Sequence, residues 1–173
     1  MKPLILYPNL PKSQIAEEVE RFLVDAGFSI SSQDFERPWG GFFVLDETQI
    51  RAFRAQFFPE VALSEEQYAQ RLSPKFLLVA PGARLSWQYH SRRAELWNLV
   101  AGEAAVSRSL DDAQGPAVAM IPNEIVSLPQ GERHRLIGTQ DWGVVAEIWM
   151  HTDEIHPSDE DDIVRLQDDY ARK

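Results

Sequence analysis

Residues 81–102 read PGARLSWQYHSRRAELWNLVAG, and their alternation decides the fold class. Successive side chains of a strand point to opposite faces, so Arg84, Ser86, Gln88 and His90 share one side while Leu85, Trp87 and Tyr89 share the other. A polar face backed by bulky aromatics suits the interior of a barrel whose outer wall is covered. After a tight connection at Ser91 to Ala94, the next strand opens with Glu95, placed to face the same interior as His90. Further on, PQGERHRL puts His134 on another strand behind the turn made by Pro129 and Gly131. Two imidazoles, a carboxylate and the amide oxygen of Gln88 form a mixed nitrogen and oxygen set. It suits one divalent ion, Mn²⁺, Fe²⁺, Zn²⁺, Ni²⁺ or Co²⁺, and leaves coordination positions for a substrate.

The same texture extends on both sides of this stretch. Short runs rich in Val, Leu, Trp and Ile predict strands near 75–80, 84–90, 95–101, 104–110, 117–121, 125–128, 133–138 and 143–151, with a further strand at 41–45. Short strands at this spacing, with no helices between them, indicate an antiparallel sandwich or closed barrel. Upstream, Ile15, Val19, Phe22, Leu23 and Ala26 recur at helical spacing, which predicts a helix over 14–26 capped by Ser13 and ended by Gly27. A second helix is expected over 48–58, stopped by Pro59, and a third from Ser64, which has the capping-box spacing to Gln67. A C-terminal helix is expected over 158–170, its N-terminus formed by the acidic run Asp159 to Asp162. The expected organisation is one domain, with a helical elaboration over 1–72, a β-barrel core over 73–151 and a tail over 152–173.

Composition narrows the chemistry. The 173 residues include no cysteine, so disulfides, thiolate nucleophiles and Cys-ligated metals are excluded. With 27 Asp and Glu against 17 Lys and Arg, the formal charge is −10, which argues against general binding to a nucleic-acid backbone. A small anion held by a few local arginines remains compatible with that charge. No apolar run is long enough for a membrane span or a secretory leader, so the expected location is the cytoplasm.

These motifs resemble those of the cupin family, G-x5-H-x-H-x4-E-x6-G followed by P-x-G-x2-H. Here Gly82, Gln88, His90, Glu95 and Gly102 keep the first spacing, and Pro129, Gly131 and His134 keep the second. The departures are Gln88 in place of the first His and Gly138 in place of an Asn. The resemblance implies a double-stranded β-helix, or jelly roll, with Gln88, His90, Glu95 and His134 as metal ligands. RPWGGFFVL at 37–45, SPKFLLVAPG at 73–82, QYHSRRAELWNLV at 88–100 and EDDIVRLQDDYAR at 160–172 further resemble the type II mannose-6-phosphate isomerase domain. Gln167 stands where that tail commonly has Glu, and the N-terminal helix and residues 46–72 lie outside the likeness. Small cupins of this kind are also assigned as phosphoheptose isomerases.

That resemblance implies interconversion of aldose and ketose sugar phosphates, such as mannose 6-phosphate or a heptose 7-phosphate, with a divalent ion stabilising the enediolate. The proton transfer needs a base. Glu147, in the apolar run VVAEIWM, is the first candidate because burial raises a carboxyl pKa; Glu132, beside the second motif, is the weaker one. Arg93, Lys75, Arg37, Arg84 and Arg165 form a candidate clamp for the phosphate, with Lys75 and Arg93 nearest the chemistry. Trp97, with Trp39 and Trp149, offers a wall against which a sugar could stack. His151 and His156 read as solvated surface. Exposed strand edges make a homodimer the expectation. Two other functions fit the motifs: an Fe²⁺-dependent cupin dioxygenase, and a sugar- or metabolite-binding module without turnover.

Overall fold

The computed structural model describes residues 3–170. Helix α1 (Lys12–Asp25) is followed by strands β1 (Ile30–Asp34) and β2 (Gly40–Leu45), a 3-10 turn, and helices α2 (Ile50–Phe57) and α3 (Glu65–Tyr68). Seven strands follow: β3 (Lys75–Val79), β4 (Trp87–Tyr89), β5 (Arg93–Ser109), β6 (Ala117–Ala119), β7 (Val126–Leu128), β8 (Arg133–His151) and β9 (Val164–Gln167). All pairings between these strands are antiparallel.

The frame of this jelly roll is the long pair β5 and β8. The register runs from Arg93 opposite His151 to Ser109 opposite Arg133, with irregularities at Leu99/Ala101 and Gly102/Ala104. Gly102, at φ +72°, permits the close approach there, since a Cβ would lie 1.8 Å from the carbonyl oxygen of Trp142. The bent pair belongs to two layers. Its 93–99 and 145–151 halves join β3, β2, β1 and β7, whereas its 104–109 and 133–138 halves join β6, β4 and β9. The strands expected at 95–101 and 104–110 are therefore one strand, as are those expected at 133–138 and 143–151. Glycines that read as breaks are bends.

Side-chain alternation then sorts the residues. On β3, Phe76 and Leu78 join a cluster with Ile15, Val19 and Leu23 of α1 and Phe53 and Phe57 of α2, while Leu77 and Val79 face a second cluster inside the barrel. The helices thus cover the outer wall of one layer, which is why every residue of β3 is buried. Phe22, Phe28, Phe53, Phe57 and Phe76 meet with ring centroids 4.9–6.4 Å apart. Each such ring contributes roughly 1.5–3 kcal/mol by leaving water. The outer cover anchors the strands whose inner faces carry Lys75, Glu95, Trp97 and Glu147.

Several local expectations hold. Helix α1 ends as expected at Gly27, where the amides of Gly27 and Phe28 return to the carbonyls of Val24 and Leu23. Ser64 and Gln67 form the capping box. Others need correction. Pro11, not Ser13, occupies the N-cap of α1, and β1 is an additional strand. The expected C-terminal helix over 158–170 is instead a series of turns leading into β9, so the acidic run caps no helix. The edge of β4 supplies the physical reason. Trp87, Gln88 and Tyr89 pair with Gln167, Arg165 and Val164, giving both segments backbone partners that a helix would withhold from β4. Among the described residues no helix is long and apolar enough to cross a membrane.

Candidate metal centre and its cavity

Glu95 reaches the barrel interior from β5, His134 from the start of β8, and His90 from the turn after β4. All three are buried, with 2% exposure each. One nitrogen or oxygen atom from each lies within 4.8 Å of the others. His90 Nε2 is 3.0 Å from Glu95 Oε1, and His134 Nε2 is 3.5 Å from Glu95 Oε2. Gln88 lies across the ladder from His134 and lines the adjacent cavity, where its Oε1 accepts from the Ser86 hydroxyl.

The tautomers follow from the partners. His90 Nδ1 faces the carbonyl of Asp162 at 2.5 Å, and His134 Nδ1 faces the carbonyl of Glu132 at 2.9 Å. A carbonyl only accepts, so both Nδ1 atoms donate, and each ring, when its Nε2 carries no proton, turns that lone pair toward Glu95. Three acceptors thereby converge in a buried space. Glu95 Oε2 and His134 Nε2 have no hydrogen-bond partner. Only a cation or shared protons can hold such a group together, and the donor set fits a divalent ion of the Zn, Mn, Fe, Ni or Co type. Burial alone would raise the pKa of Glu95. Where the imidazoles carry the shared protons, the charge of His90, hydrogen bonds from His134 and His90, and the Arg93 guanidinium more than offset this and hold the carboxyl well below its usual range.

A cavity opens beside this cluster, lined in part by Lys75, Gln88, Arg93, Glu95, Trp97 and Glu147. Glu147 stands directly across the ladder from both Lys75 and Trp97. The indole N–H groups of Trp97 and Trp149 donate to its two oxygens at 2.9 and 3.1 Å. Burial first, then the charge of Glu95, push its pKa up to about 7, against the opposing pull of Lys75, Arg93 and the Trp97 hydrogen bond. A carboxyl poised there can hold or release a proton near neutrality.

The expected clamp is only partly assembled. Arg37, Lys75, Arg93 and Arg165 line the cavity, but Arg84 does not. A bidentate contact with Asp169, at 2.6 and 3.0 Å, holds Arg84 on the tail instead, and its side chain is 43% exposed. Lys75 lies over the Trp149 ring and pairs with Glu160 at 2.8 Å. Arg93 stacks on the other cation site of Trp149 and donates to Glu95 at 2.9 Å, to the Ser158 hydroxyl at 2.9 Å and to the Asp159 carbonyl at 2.9 Å, while its Nη2 lies 3.3 Å from His90 Nε2. It therefore belongs to the surroundings of the metal ligands as much as to any anion site. Trp97 and Trp39 line the cavity, whereas the Trp149 ring carries the two cations. Glu132 is not solvated but paired with Arg108 at 2.8 Å. His151 is likewise tied down, bonded to the Arg71 carbonyl and accepting from the Ser158 amide; His156 is exposed, as expected.

The tail supplies what sequence reasoning missed. Asp162 accepts from the amides of Ser91 and Arg92 at 2.9 and 3.0 Å and from the Ser158 hydroxyl at 2.7 Å, while its carbonyl orients His90. Burial would raise the Asp162 pKa, but the hydrogen bonds from Ser158, Ser91 and Arg92 win and hold it low. Partners that orient a ligand imidazole typically govern metal affinity by about 10–100-fold. Asp162→Asn, which sets an amide NH₂ against one of the two backbone N–H donors, is expected to weaken divalent-ion binding by about that factor. Competition with a chelator measures it, and an unfolding curve recorded in excess chelator shows that the metal-free fold is retained.

Comparison with known proteins agrees with this geometry. The model of the family described as mannose-6-phosphate isomerase C-terminal matches residues 57–168. The xanthan biosynthesis protein XanB of Xanthomonas campestris is 28% identical over 173 residues, covering 97% of this chain and 30% of that protein. The alginate biosynthesis protein AlgA of Pseudomonas aeruginosa is 35% identical over 105 residues, covering 59% of this chain and 20% of its own length. The chain thus spans less than a third of these relatives. Among solved structures, one of DMSP lyases RdDddP and RnDddQII aligns with a TM-score of 0.52 at 15% identity, covering 95% of this chain and 83% of that one. The capsular polysaccharide assembling protein CapF of Staphylococcus aureus aligns with a TM-score of 0.50 at 13% identity, covering 91% and 42%. Both structural likenesses speak to the fold.

Proposed function

This chain belongs to the mannose-6-phosphate isomerase C-terminal family, and we propose that it is a metal-dependent aldose–ketose isomerase acting on a sugar phosphate of the mannose 6-phosphate or heptose 7-phosphate type. The observation that carries the reading is the adjacency, in one cavity, of the converging acceptors around Glu95 and a second carboxyl, Glu147, whose pKa is pushed up to about 7. Relatives named for xanthan and alginate biosynthesis support a place in carbohydrate metabolism.

In the forward direction Glu147 takes the proton from C2 of the aldose as the C1 carbonyl oxygen gains charge. The hydroxyl proton passes from O2 to O1, and Glu147 returns its proton to C1, leaving the ketone at C2. The poised pKa suits both halves of this exchange, because neither the acid nor the carboxylate is strongly disfavoured. When bound by His90, Glu95, His134 and Gln88, a divalent ion would supply Lewis-acid stabilisation of the developing oxyanion. Trp97 and Trp149 hold the Glu147 carboxylate in orientation through their indole N–H groups. Arg37, Lys75 and Arg165 furnish cationic donors for the phosphate.

Incubation of the metal-loaded protein with mannose 6-phosphate, and separately with a heptose 7-phosphate, in deuterated water tests the reading. Deuterium is expected at C2 of one of them, together with the matching ketose. Absence of exchange with every sugar phosphate offered would overturn the isomerase assignment and favour a binding module or an oxygen-dependent enzyme.

A further inference from the structure

Two of the orphaned polar atoms in this region, Glu95 Oε2 and His134 Nε2, are acceptors that a cation satisfies. A third has the opposite chemistry. The Trp39 ring lines the same cavity, the residue is only 4% exposed, and its indole N–H has no acceptor among the described residues. An indole N–H is a donor only, so no metal ion can satisfy it; an oxygen acceptor must. Leaving such a donor buried and unmet costs about 1–3 kcal/mol, which argues that a ligand regularly answers it.

The backbone fixes this donor in place. The Trp39 carbonyl accepts from the amide of Ala80 at 2.9 Å, which ties the residue to the end of β3. Gly40 follows with φ +143°, and a Cβ there would lie 1.9 Å from the carbonyl oxygen of Leu78. The Gly40 amide closes the turn onto the Arg37 carbonyl at 3.2 Å. Arg37 therefore enters the cavity wall two residues before Trp39. It pairs with Asp34 through Nε at 2.7 Å, which leaves its Nη groups for another acceptor. A guanidinium edge and a fixed neutral N–H on one rigid turn match an oxyanion better than a sugar hydroxyl, which would bring its own donor hydrogen to the pair.

We propose that the Trp39 indole N–H is a binding donor for a phosphate oxygen, forming with Arg37 the phosphate end of the cavity. This assigns Trp39 a polar contact instead of a stacking or packing role. It rests on the sugar-phosphate reading for its physiological ligand, but the contact itself is testable with inorganic phosphate.

In a ¹H–¹⁵N spectrum of the full chain each of the five Trp indoles gives a correlation, and the one absent from Trp39→Phe belongs to Trp39. Titration with inorganic phosphate is expected to move that resonance downfield. In Trp39→Phe, which keeps an aromatic ring but removes the pyrrole part of the indole with its donor, the phosphate Kd is expected to rise about tenfold, the loss of one charge-assisted hydrogen bond. Metal content should be unchanged. With a sugar phosphate that turns over, KM should rise by a similar factor at constant kcat, the signature of uniform binding. A Trp39 resonance that stays still through phosphate saturation, or an unchanged Kd in the variant, would overturn the proposal. Should Trp39→Phe fail to fold, the wild-type titration still decides, with the indole assigned through its neighbour Gly40. Phosphate that moves the Trp39 resonance while no sugar phosphate exchanges at C2 would remove the isomerase reading and leave this contact standing.

Discussion

His134→Ala is expected to take the chain from close to one bound divalent ion to nearly none and to abolish metal-dependent turnover. His134 is buried, its Nδ1 is committed to the Glu132 carbonyl, and its Nε2 is turned toward Glu95. Alanine removes one of the three acceptors that converge there and leaves His90 and Glu95 with only the weaker amide oxygen of Gln88 beside them, too few strong donors to hold a borderline ion against water. Elemental analysis of the purified variant measures the loss directly. Ion binding also raises stability, by about 4 kcal/mol when the free ion stands at a thousand times its Kd. The wild-type unfolding midpoint should therefore climb on adding the ion, and that of the variant should not. Metal content that survives the substitution would mean that the ligand set is wrong.

Glu147→Gln is expected to slow C2 proton exchange by roughly 10²–10⁴-fold, the usual worth of a positioned base, with the ion retained. The amide keeps the shape but can accept from only one of Trp97 and Trp149, its NH₂ facing the other indole N–H, so the variant loses the transferable proton together with one of these two hydrogen bonds. Deuterium uptake measured beside metal content separates this result from a collapsed site. A second check needs no substrate. The Glu147 pKa rises from 4.5 in the unfolded reference to about 7 in the fold. Between those values the folded protein holds a proton that the unfolded chain has released. Its contribution to stability is thus full below about pH 4.5 and is lost as the pH rises through about 7. Metal-free wild type should lose unfolding free energy across that window, and Glu147→Gln should lose less. Glu95, whose pKa is lowered, acts with the opposite sign: its contribution is present above 4.5 and falls away in more acidic solution.

Much of the frame was legible because local chemistry agrees with the final fold. The alternation put Gln88 and His90 on the inner face, although Leu85, expected on the opposite side, lines the cavity beside Ser86 and Gln88 while Arg84 does not; Glu95 and His134 joined them through motif spacings. The errors in the tail and around Arg84 have one physical origin. Ser158 and Asp161 have cap spacing, and Ile163, Val164 and Leu166 fit a helical face, but the segment is decided by the unpaired edge of β4, about 80 positions away in sequence. Nothing local to Asp162 announces that its carboxylate will hold the amides of Ser91 and Arg92, because those partners lie 71 and 70 positions earlier. Arg84 went astray for the same reason: Asp169 captures it across a separation of 85. Trp39 was noticed for its ring, whereas the informative atom is its nitrogen, whose lack of a partner is visible only once the cavity walls are in place.

The carbonyl that orients His90 comes from 72 positions downstream. A ribosome-bound chain consequently cannot complete the orientation of His90 until residue 162 has emerged, so any loading with an ion would be a late event in biogenesis. The dependence also runs backwards: whatever factor the docked tail adds to ion affinity, the ion must return to tail docking. Amide hydrogens of β9 should therefore exchange with solvent more slowly in the loaded protein, and chelation should loosen a stretch of chain that touches the ion only through an intermediary.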